Sequence, residues 1–241
     1  MRSRGFFVTG TDTGVGKTRV AVALVHALRA QGLCVAVMKP VSAGSAPQGD
    51  SDPLRAEARV ESYATGELNE DVVALMQAAN VVADVRDINP YAFEPAIAPH
   101  LAARLAGVRI DLSVITAAFD RLAAAADVVV VEGAGGWRVP LNEHEDMADL
   151  AQALGLPVVL VVGLRLGCLS HALLTADAIA RSQLKWAGWV GNQIDPAMAE
   201  QPANLASLRA RLPCPCLGVQ PYSLTPNDSS EASTWLSLPE E

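Results

Sequence analysis

The chain has 241 residues and a formal net charge of −8, and its basic residues are scattered along the sequence. A nucleic-acid partner is not expected, because binding to a phosphate backbone needs a basic face. Although 51% of the residues are apolar, no apolar run reaches the roughly 18 to 20 residues that would cross a bilayer, so we expect a cytoplasmic protein with no membrane partner.

The first predicted strand, over residues 5–8, leads into Gly10-Thr11-Asp12-Thr13-Gly14-Val15-Gly16-Lys17-Thr18 and then into a helix that reaches Gln31. A strand that turns into a helix through small residues leaves backbone N–H groups free to bind phosphate. Lys17 would reach the β- and γ-phosphates, and the Thr18 hydroxyl would bind Mg²⁺. The spacing departs from the usual loop pattern: five residues rather than four separate Gly10 from Gly16, or else Thr11 stands where a glycine is expected. The alternative to a phosphate-binding loop is an ordinary glycine-rich turn.

A second strand is predicted over residues 35–38, and it ends at Lys39-Pro40. Ligands bind at the carboxyl ends of parallel strands, so Lys39 is a candidate for chemistry, with a solvated strand-end lysine as the alternative. Asp52 precedes a helical pattern that runs to about residue 64, where it would either cap the helix or hold a metal ion. The periodicity over residues 69–86 is mixed and predicts no definite element.

The segment Asp127-Val-Val-Val-Val131 is an apolar strand of the kind that is buried in a parallel sheet, and it leads to Glu132 and a run of glycines. A carboxylate there is typical of the second metal-side acid in phosphate-loop enzymes, and an exposed turn glutamate is the alternative. Further strands are predicted at 157–163, 186–192 and 217–219, and further helices at 100–105, 112–124, 170–181 and 203–212.

This alternation predicts an α/β fold of the P-loop NTPase type: a doubly wound, mainly parallel sheet with helices on both faces. We expect a single domain over residues 1–225. The remaining residues, 226–241, are rich in Ser, Asn, Glu and Pro and are expected to form a partly flexible tail.

Several motifs together resemble the dethiobiotin synthetase family, in order, from about residue 6 to residue 222. They are Val8-Thr-Gly-Thr-Asp-Thr-Gly-Val-Gly-Lys-Thr18, Lys39-Pro-Val41, Asn89-Pro-Tyr91 with Pro99-His100, Val131-Glu-Gly-Ala-Gly-Gly-Trp137, Leu166-Gly-Cys168 with His171-Ala172, and Ala187-Gly-Trp-Val190 with Asn192. The resemblance implies an ATP-dependent ligase of biotin synthesis. It would convert 7,8-diaminopelargonic acid, CO₂ and ATP into dethiobiotin, ADP and phosphate through a carbamate and a carbamic-phosphoric anhydride.

The resemblance also implies a role for individual residues. Lys17 and Lys39 would offset charge on the carbamate and γ-phosphate oxygens, and Thr18, Asp52 and Glu132 would surround Mg²⁺. The nucleotide would contact Gly14, Val15, Gly16, Gly133, Ala134, Gly135, Asn192, Gln193, Gln220, Pro221 and Tyr222. The substrate would contact Thr11, either Ser42 or Ala43, and the turn Leu166, Gly167 and Cys168. In this family the turn of one subunit meets the substrate in its partner's site, which implies a homodimer.

Some positions depart from the family pattern. Gly14 stands where glutamate is common, Ala43 where Ser or Thr is frequent, Ser170 in place of asparagine, and Gln193 in place of aspartate. Two other functions share the loop and sheet: a nucleotide-switch ATPase of the partitioning type, and an ATP-using enzyme of carboxylate amidation. The first typically carries an extra lysine that Thr11-Asp12-Thr13 lacks, and the second usually needs a further domain.

Overall fold

A computed structural model describes residues 5–44, 68–223 and 235–239 of the chain. Its strands, in chain order, are β1 (Gly5–Gly10), β2 (Val35–Met38), β3 (Val41–Ala43), β4 (Tyr91–Phe93), β5 (Val128–Gly136), β6 (Val158–Leu164), β7 (Trp186–Gln193) and β8 (Cys216–Gln220). Six of them form a parallel sheet in the order β2-β5-β1-β6-β7-β8, while β3 and β4 form a separate parallel pair. The predicted parallel sheet is therefore confirmed.

Helices cover both faces of this sheet. They are α1 (Lys17–Ala30), α2 (Glu70–Ala78), α3 (Val85–Ile88), α4 (Pro99–Leu105), α5 (Leu112–Ala125), α6 (Met147–Leu154), α7 (Cys168–Arg181) and α8 (Gln201–Arg211). Two groups of helices pack over β2 and β5: one consists of α1 and α2, and the other of α3, α5 and α6. Helix α7 packs on β6 and against α8. The fold is doubly wound, as the alternation of elements in the sequence predicted.

The middle of the sheet is the most deeply buried part of the structure. Val129, Val130 and Val131 of β5 are fully buried, as are Phe7 and Val8 of β1. Burial on both faces explains why these strands are continuous apolar runs rather than alternating ones. Strand β5 does not stop after the valines but continues through Gly136, so Glu132 lies within the strand and not beyond its end.

The connections contain elements that the sequence did not indicate. Residues 69–86 hold α2 and the start of α3, and the β3–β4 pair and α6 were not predicted. Helix α6 begins at a capping box, in which the Asp146 side chain accepts from the backbone of Ala148 and Asp149. The helix predicted between Asp52 and residue 64 lies outside the described residues.

The described tail residues lie against the last strand. Leu236 forms an antiparallel bridge with Gly218, and the N–H of Ser237 donates to the Leu217 carbonyl at 2.7 Å. The domain boundary near residue 225 stays a prediction. Across the part of the chain that the structure describes, no helix has both the length and the apolarity needed to cross a membrane.

Candidate nucleotide-binding active site

The glycine-rich loop joins the end of β1 to the start of α1, at the carboxyl edge of the sheet. Gly16 has a φ of 84°, and a Cβ at this position would lie 2.0 Å from the Asn192 Nδ2 atom, so only glycine fits. Val15 is buried beneath the loop. The Lys17 ammonium folds back and donates to the Asp12 carbonyl at 3.2 Å. The loop thus has the strand-to-helix form that was predicted for it.

Four side chains meet beside the loop: one each from α1, α2 and β5, and that of the residue directly after β2. The Thr18 hydroxyl lies 2.7 Å from Asp71 Oδ1 and 2.9 Å from Glu132 Oε1. The Lys39 ammonium donates to Asp71 Oδ2 at 2.9 Å and to Glu132 Oε1 at 2.5 Å. Thr18, Lys39 and Glu132 were candidates from the sequence, and the fold brings them into direct contact.

Asp71 is the member of this cluster that the sequence analysis missed. It lies in the first turn of α2, whose N-cap Asn69 accepts from the Asp71 N–H at 3.0 Å. The position next to Thr18 and Glu132 is the one that the sequence interpretation gave to Asp52, which lies outside the described residues. A capping asparagine followed by apolar residues at 72, 75 and 78 was the available indication of this helix.

Burial and charge act against each other in this cluster. Burial alone would lower the pKa of Lys39, but the carboxylates of Glu132 and Asp71 outweigh burial and raise it. Burial raises the pKa of Glu132, with the Lys39 ammonium acting in the opposite direction. Asp71 is less enclosed. Burial raises its pKa, but contact with the Lys39 ammonium outweighs burial, and the pKa of Asp71 is lowered. Lys39 therefore stays charged, because it is held between two acidic groups.

Lys17 has no such carboxylate partner. Burial, followed by repulsion from Lys39, lowers its pKa to about 8. The charged form of Lys17 is therefore destabilised in the absence of an anion, and a bound anion would stabilise it, as expected of a phosphate-binding lysine.

We expect Lys17→Met to stabilise the nucleotide-free protein near neutral pH. The Lys17 ammonium has a higher pKa in the unfolded chain than in the folded chain. The free-energy penalty of burying it is therefore fully present below pH 8, and it declines as the pH rises from 8 toward the pKa of the unfolded state. The lowered pKa corresponds to a penalty on the order of 3 kcal/mol. Urea unfolding at about pH 7 and about pH 9.5 would measure it, with the exposed Lys185→Met as the control. A Lys17→Met protein no more stable than the control at about pH 7 would contradict the penalty.

A second set of buried hydrogen bonds holds the Lys39 backbone. The Asn89 side-chain amide donates to the carbonyls of Lys39 at 2.6 Å and Tyr91 at 3.2 Å. The Ser42 hydroxyl donates to the Asn89 side-chain oxygen at 2.9 Å. Both Ser42 and Ala43 line the cleft, but the Ser42 hydroxyl is occupied within the protein, so its contribution is to keep Asn89, and through it Lys39, in position.

The carboxyl ends of β7 and β8 form a second polar region next to the loop. The Asn192 amide donates to the Val15 carbonyl at 2.8 Å, while its own side-chain oxygen is buried without a hydrogen-bond partner. Gln220, which is paired with Asn192 across the two strands, also has a buried side-chain oxygen without a partner. Two unsatisfied acceptors side by side fit the amino group of an adenine, because buried acceptors normally have donors.

The neighbouring candidates have other partners or are open to solvent. Gln193 donates to the Gln201 side chain at 2.8 Å and accepts from the Tyr222 N–H at 3.1 Å. Pro221 and Tyr222 are exposed at the edge of this region. The Thr11 N–H donates to the Val161 carbonyl at 3.0 Å, which places Thr11 at the base of the loop.

The glycine-rich end of β5 and the turn before α7 lie on different sides of the loop. Ala134 and Gly135 line the cleft, whereas Gly133 packs on the ring of Phe7. The turn Leu166-Gly167-Cys168 follows β6, with Leu166 93% exposed and Cys168 buried at the start of α7.

The cleft between the loop, α2 and the β3–β4 pair has a volume of about 680 Å³, large enough for a polyphosphate and a small substrate. At its floor, oxygens of Thr18, Asp71 and Glu132 converge, and Glu132 Oε2 is buried without a partner. Hydroxyl and carboxylate oxygens are the ligands that Mg²⁺ prefers, and Mg²⁺ needs only one or two protein carboxylates. The residues present therefore fit a magnesium nucleotide.

A parallel sheet with a Gly-Lys-Thr loop at its carboxyl edge defines the class of P-loop nucleotide-binding proteins. A family model described as an AAA domain matches residues 4–228. The chain also resembles the MinD cell division protein of Aquifex aeolicus, with a TM-score of 0.55 and 14% identity over 95% of this chain and 87% of that one. MinD of Pyrococcus horikoshii OT3, solved in complex with Mg-ADP, gives a TM-score of 0.53 and 16% identity over 95% and 84% of the two chains. These similarities define the fold alone.

Sequence comparison identifies the family more closely. The ATP-dependent dethiobiotin synthetase BioD of Nitrosospira multiformis is 50% identical over 235 residues, which cover 98% of this chain and 95% of the relative. The protein of the same name from Pseudomonas paraeruginosa is 51% identical over 217 residues, covering 90% and 89% of the two chains. The chain belongs to the dethiobiotin synthetase family, as its motifs predicted.

Proposed function

We propose that the protein is an ATP-dependent dethiobiotin synthetase that closes the ureido ring of dethiobiotin from 7,8-diaminopelargonic acid and CO₂, with Mg²⁺ bound beside the ATP phosphates. The observation that carries this proposal is the contact of Thr18, Lys39, Asp71 and Glu132 next to Lys17. A loop for phosphate, oxygens for a cation and a buried lysine lie within one cleft, as transfer of a phosphoryl group to a carbamate requires.

Each side chain has a definite task in this reaction. One substrate amine takes up CO₂ as a carbamate, a carbamate oxygen attacks the γ-phosphate, and the second amine then displaces phosphate and closes the ring. Lys17 binds the phosphates, and Lys39 offsets negative charge where the carbamate meets the γ-phosphate. The protein therefore acts mainly by positioning the reactants and stabilising charge.

We assign the metal site to Thr18, Asp71 and Glu132. Bound Mg²⁺ would neutralise charge on the phosphate oxygens. The Thr18 hydroxyl is within hydrogen-bond distance of both carboxylates, and the Lys39 ammonium, paired with each of them, holds the two acids on the same side of the cleft. The unpartnered acceptors of Asn192 and Gln220 would receive the adenine amino group.

We also propose a homodimer in which the 166–168 turn approaches the partner's cleft. Leu166, in the turn before α7, and Leu174, in the first half of α7, are 93% and 67% exposed, and an apolar surface there would be covered by a second copy. Replacing both leucines by aspartate should shift the mass measured by light scattering from dimer to monomer. A wild-type protein that is monomeric at high concentration would contradict this proposal.

The function is tested by phosphate release from purified protein with ATP and Mg²⁺, with diaminopelargonic acid and bicarbonate added separately and then together. Release that needs both, with dethiobiotin as the product, is the expected result. Slow release that is indifferent to both would instead indicate a nucleotide switch. We place the enzyme in the cytoplasm, where its nucleotide is available, and cell fractionation would check this.

A further inference from the structure

Three of the described residues that line the active-site cleft are acidic: Glu70, Asp71 and Glu132. Lys39 forms an ion pair with Asp71 at 2.9 Å and another with Glu132 at 2.5 Å. Glu70 is exposed, and across the described part of the chain its carboxylate has neither an ion-pair nor a hydrogen-bond partner. Of these three acids, Glu70 is the one that is free to bind a ligand.

The chain on both sides of Glu70 is held in place. The Asn69 side-chain amide donates to the Ala43 carbonyl at 3.2 Å, which ties the start of α2 to β3. Asp71 accepts from the Thr18 hydroxyl at 2.7 Å. Glu70 lies between these two anchored residues, on the part of the cleft wall that runs from the proposed metal site to β3.

The proposed substrate brings positive charge into a cleft that already contains cations. An alkyl amine has a pKa of about 10, so diaminopelargonic acid carries at least one ammonium group near neutral pH. Lys17, Arg19 and Lys39 line the same cleft and would repel such a group. Once one substrate amine has become a carbamate, that end is negative and suits Lys39, whereas the other amine still needs an anionic partner.

We propose that Glu70 binds this second amine of diaminopelargonic acid, the one that later closes the ring. This inference rests on the proposed function. A hydrogen bond between an ammonium and a carboxylate is stronger than one between neutral groups, so it would distinguish two neighbouring amines that are otherwise alike. The contact places the second amine beside the carbamate, in the orientation that ring closure needs.

The test compares wild type with Glu70→Gln, Glu70→Asp and the control Glu200→Gln, which removes an exposed acid from the start of α8. In Glu70→Gln the KM for diaminopelargonic acid should rise about 10- to 100-fold, as is typical when a charge-assisted hydrogen bond is lost. The Kd for ATP and the Mg²⁺ requirement should stay nearly unchanged. Glu70→Asp keeps the charge and should recover part of the affinity.

Two monoamine analogues, 7-aminopelargonic acid and 8-aminopelargonic acid, locate the contact, because each keeps one of the two amines. Calorimetric titration in CO₂-free buffer measures their Kd for wild type and Glu70→Gln. The substitution should weaken the binding of the diamine and of one analogue, and it should leave the Kd of the other analogue unchanged.

Several results would overturn the assignment. An unchanged KM for diaminopelargonic acid would remove Glu70 from the substrate, and an equal loss of affinity for both analogues would mean that it does not select one amine. A raised Mg²⁺ requirement with a normal KM would move Glu70 to the metal site. If wild type does not turn over diaminopelargonic acid at all, the proposed function fails instead, so the two failures are distinguishable. The thermal unfolding midpoint of Glu70→Gln checks that it folds.

Discussion

Replacing Asp71 by asparagine should raise the Mg²⁺ concentration needed for half-maximal activity by about 100-fold or more. Loss of an outer partner of a metal ligand already costs about 10- to 100-fold in metal affinity, and Asp71 is proposed to be a ligand itself. The substitution keeps the size of the side chain and its contact with Thr18 but removes the negative charge. The measurement is a Mg²⁺ titration of phosphate release at saturating ATP.

The same titration of Asp52→Asn separates the two candidate acids. Asp71 lies 2.7 Å from the Thr18 hydroxyl, so we expect the large effect there and only a small one at Asp52. A large effect at Asp52 with an unchanged requirement in Asp71→Asn would reverse the assignment. Glu132→Gln should also raise the metal requirement, because Glu132 faces the same hydroxyl at 2.9 Å.

Replacing Lys39 by methionine should lower kcat by about 10²- to 10³-fold and leave the Kd for ATP nearly unchanged. The ammonium acts where charge differs between the ground state and the transition state, so its loss affects turnover more than binding. Single-turnover kinetics and calorimetric titration would measure the two quantities, with Lys185→Met as the control. Weak ATP binding with normal turnover at saturation would contradict this role.

The same variant should also be less stable, because it leaves the buried Glu132 carboxylate without its ion pair. Breaking such a pair by removing one partner typically costs about 3–5 kcal/mol. Adding Glu132→Gln to Lys39→Met should recover much of the stability and none of the activity. If the double variant were no more stable than Lys39→Met, Glu132 would not be the source of the loss.

The central strands of this fold could be predicted because strands buried on both faces are continuous apolar runs in the sequence. The four valines that begin β5 and the apolar run of β6 are buried in the sheet, and their continuous apolarity predicts parallel strands. The three-residue strands β3 and β4 are too short to show such an apolar run. They pair with each other across about 50 residues, and no local pattern predicts a contact of that kind.

The residues of the candidate site also fall into those that the sequence could identify and one that it could not. Lys17 and Thr18 belong to one contiguous motif. Lys39 directly follows the apolar strand β2, and Glu132 directly follows the valines of β5, so all four could be identified from the sequence. Asp71 could not, because its role depends on how α2 packs against α1. The sequence interpretation gave this role to Asp52, and no local pattern points to Asp71 instead.

The lysines of this protein are few and differ sharply in environment. The chain has only three: Lys185 is exposed, Lys17 has a pKa lowered to about 8, and Lys39 is enclosed by two carboxylates. Among the lysine side chains, an amine-directed acylating reagent therefore meets one freely reactive amine, one reactive amine inside the cleft and one that is protected. Mass-spectrometric footprinting of these three sites would report the occupancy of the phosphate loop directly in the unmodified protein, with Lys185 as the internal standard.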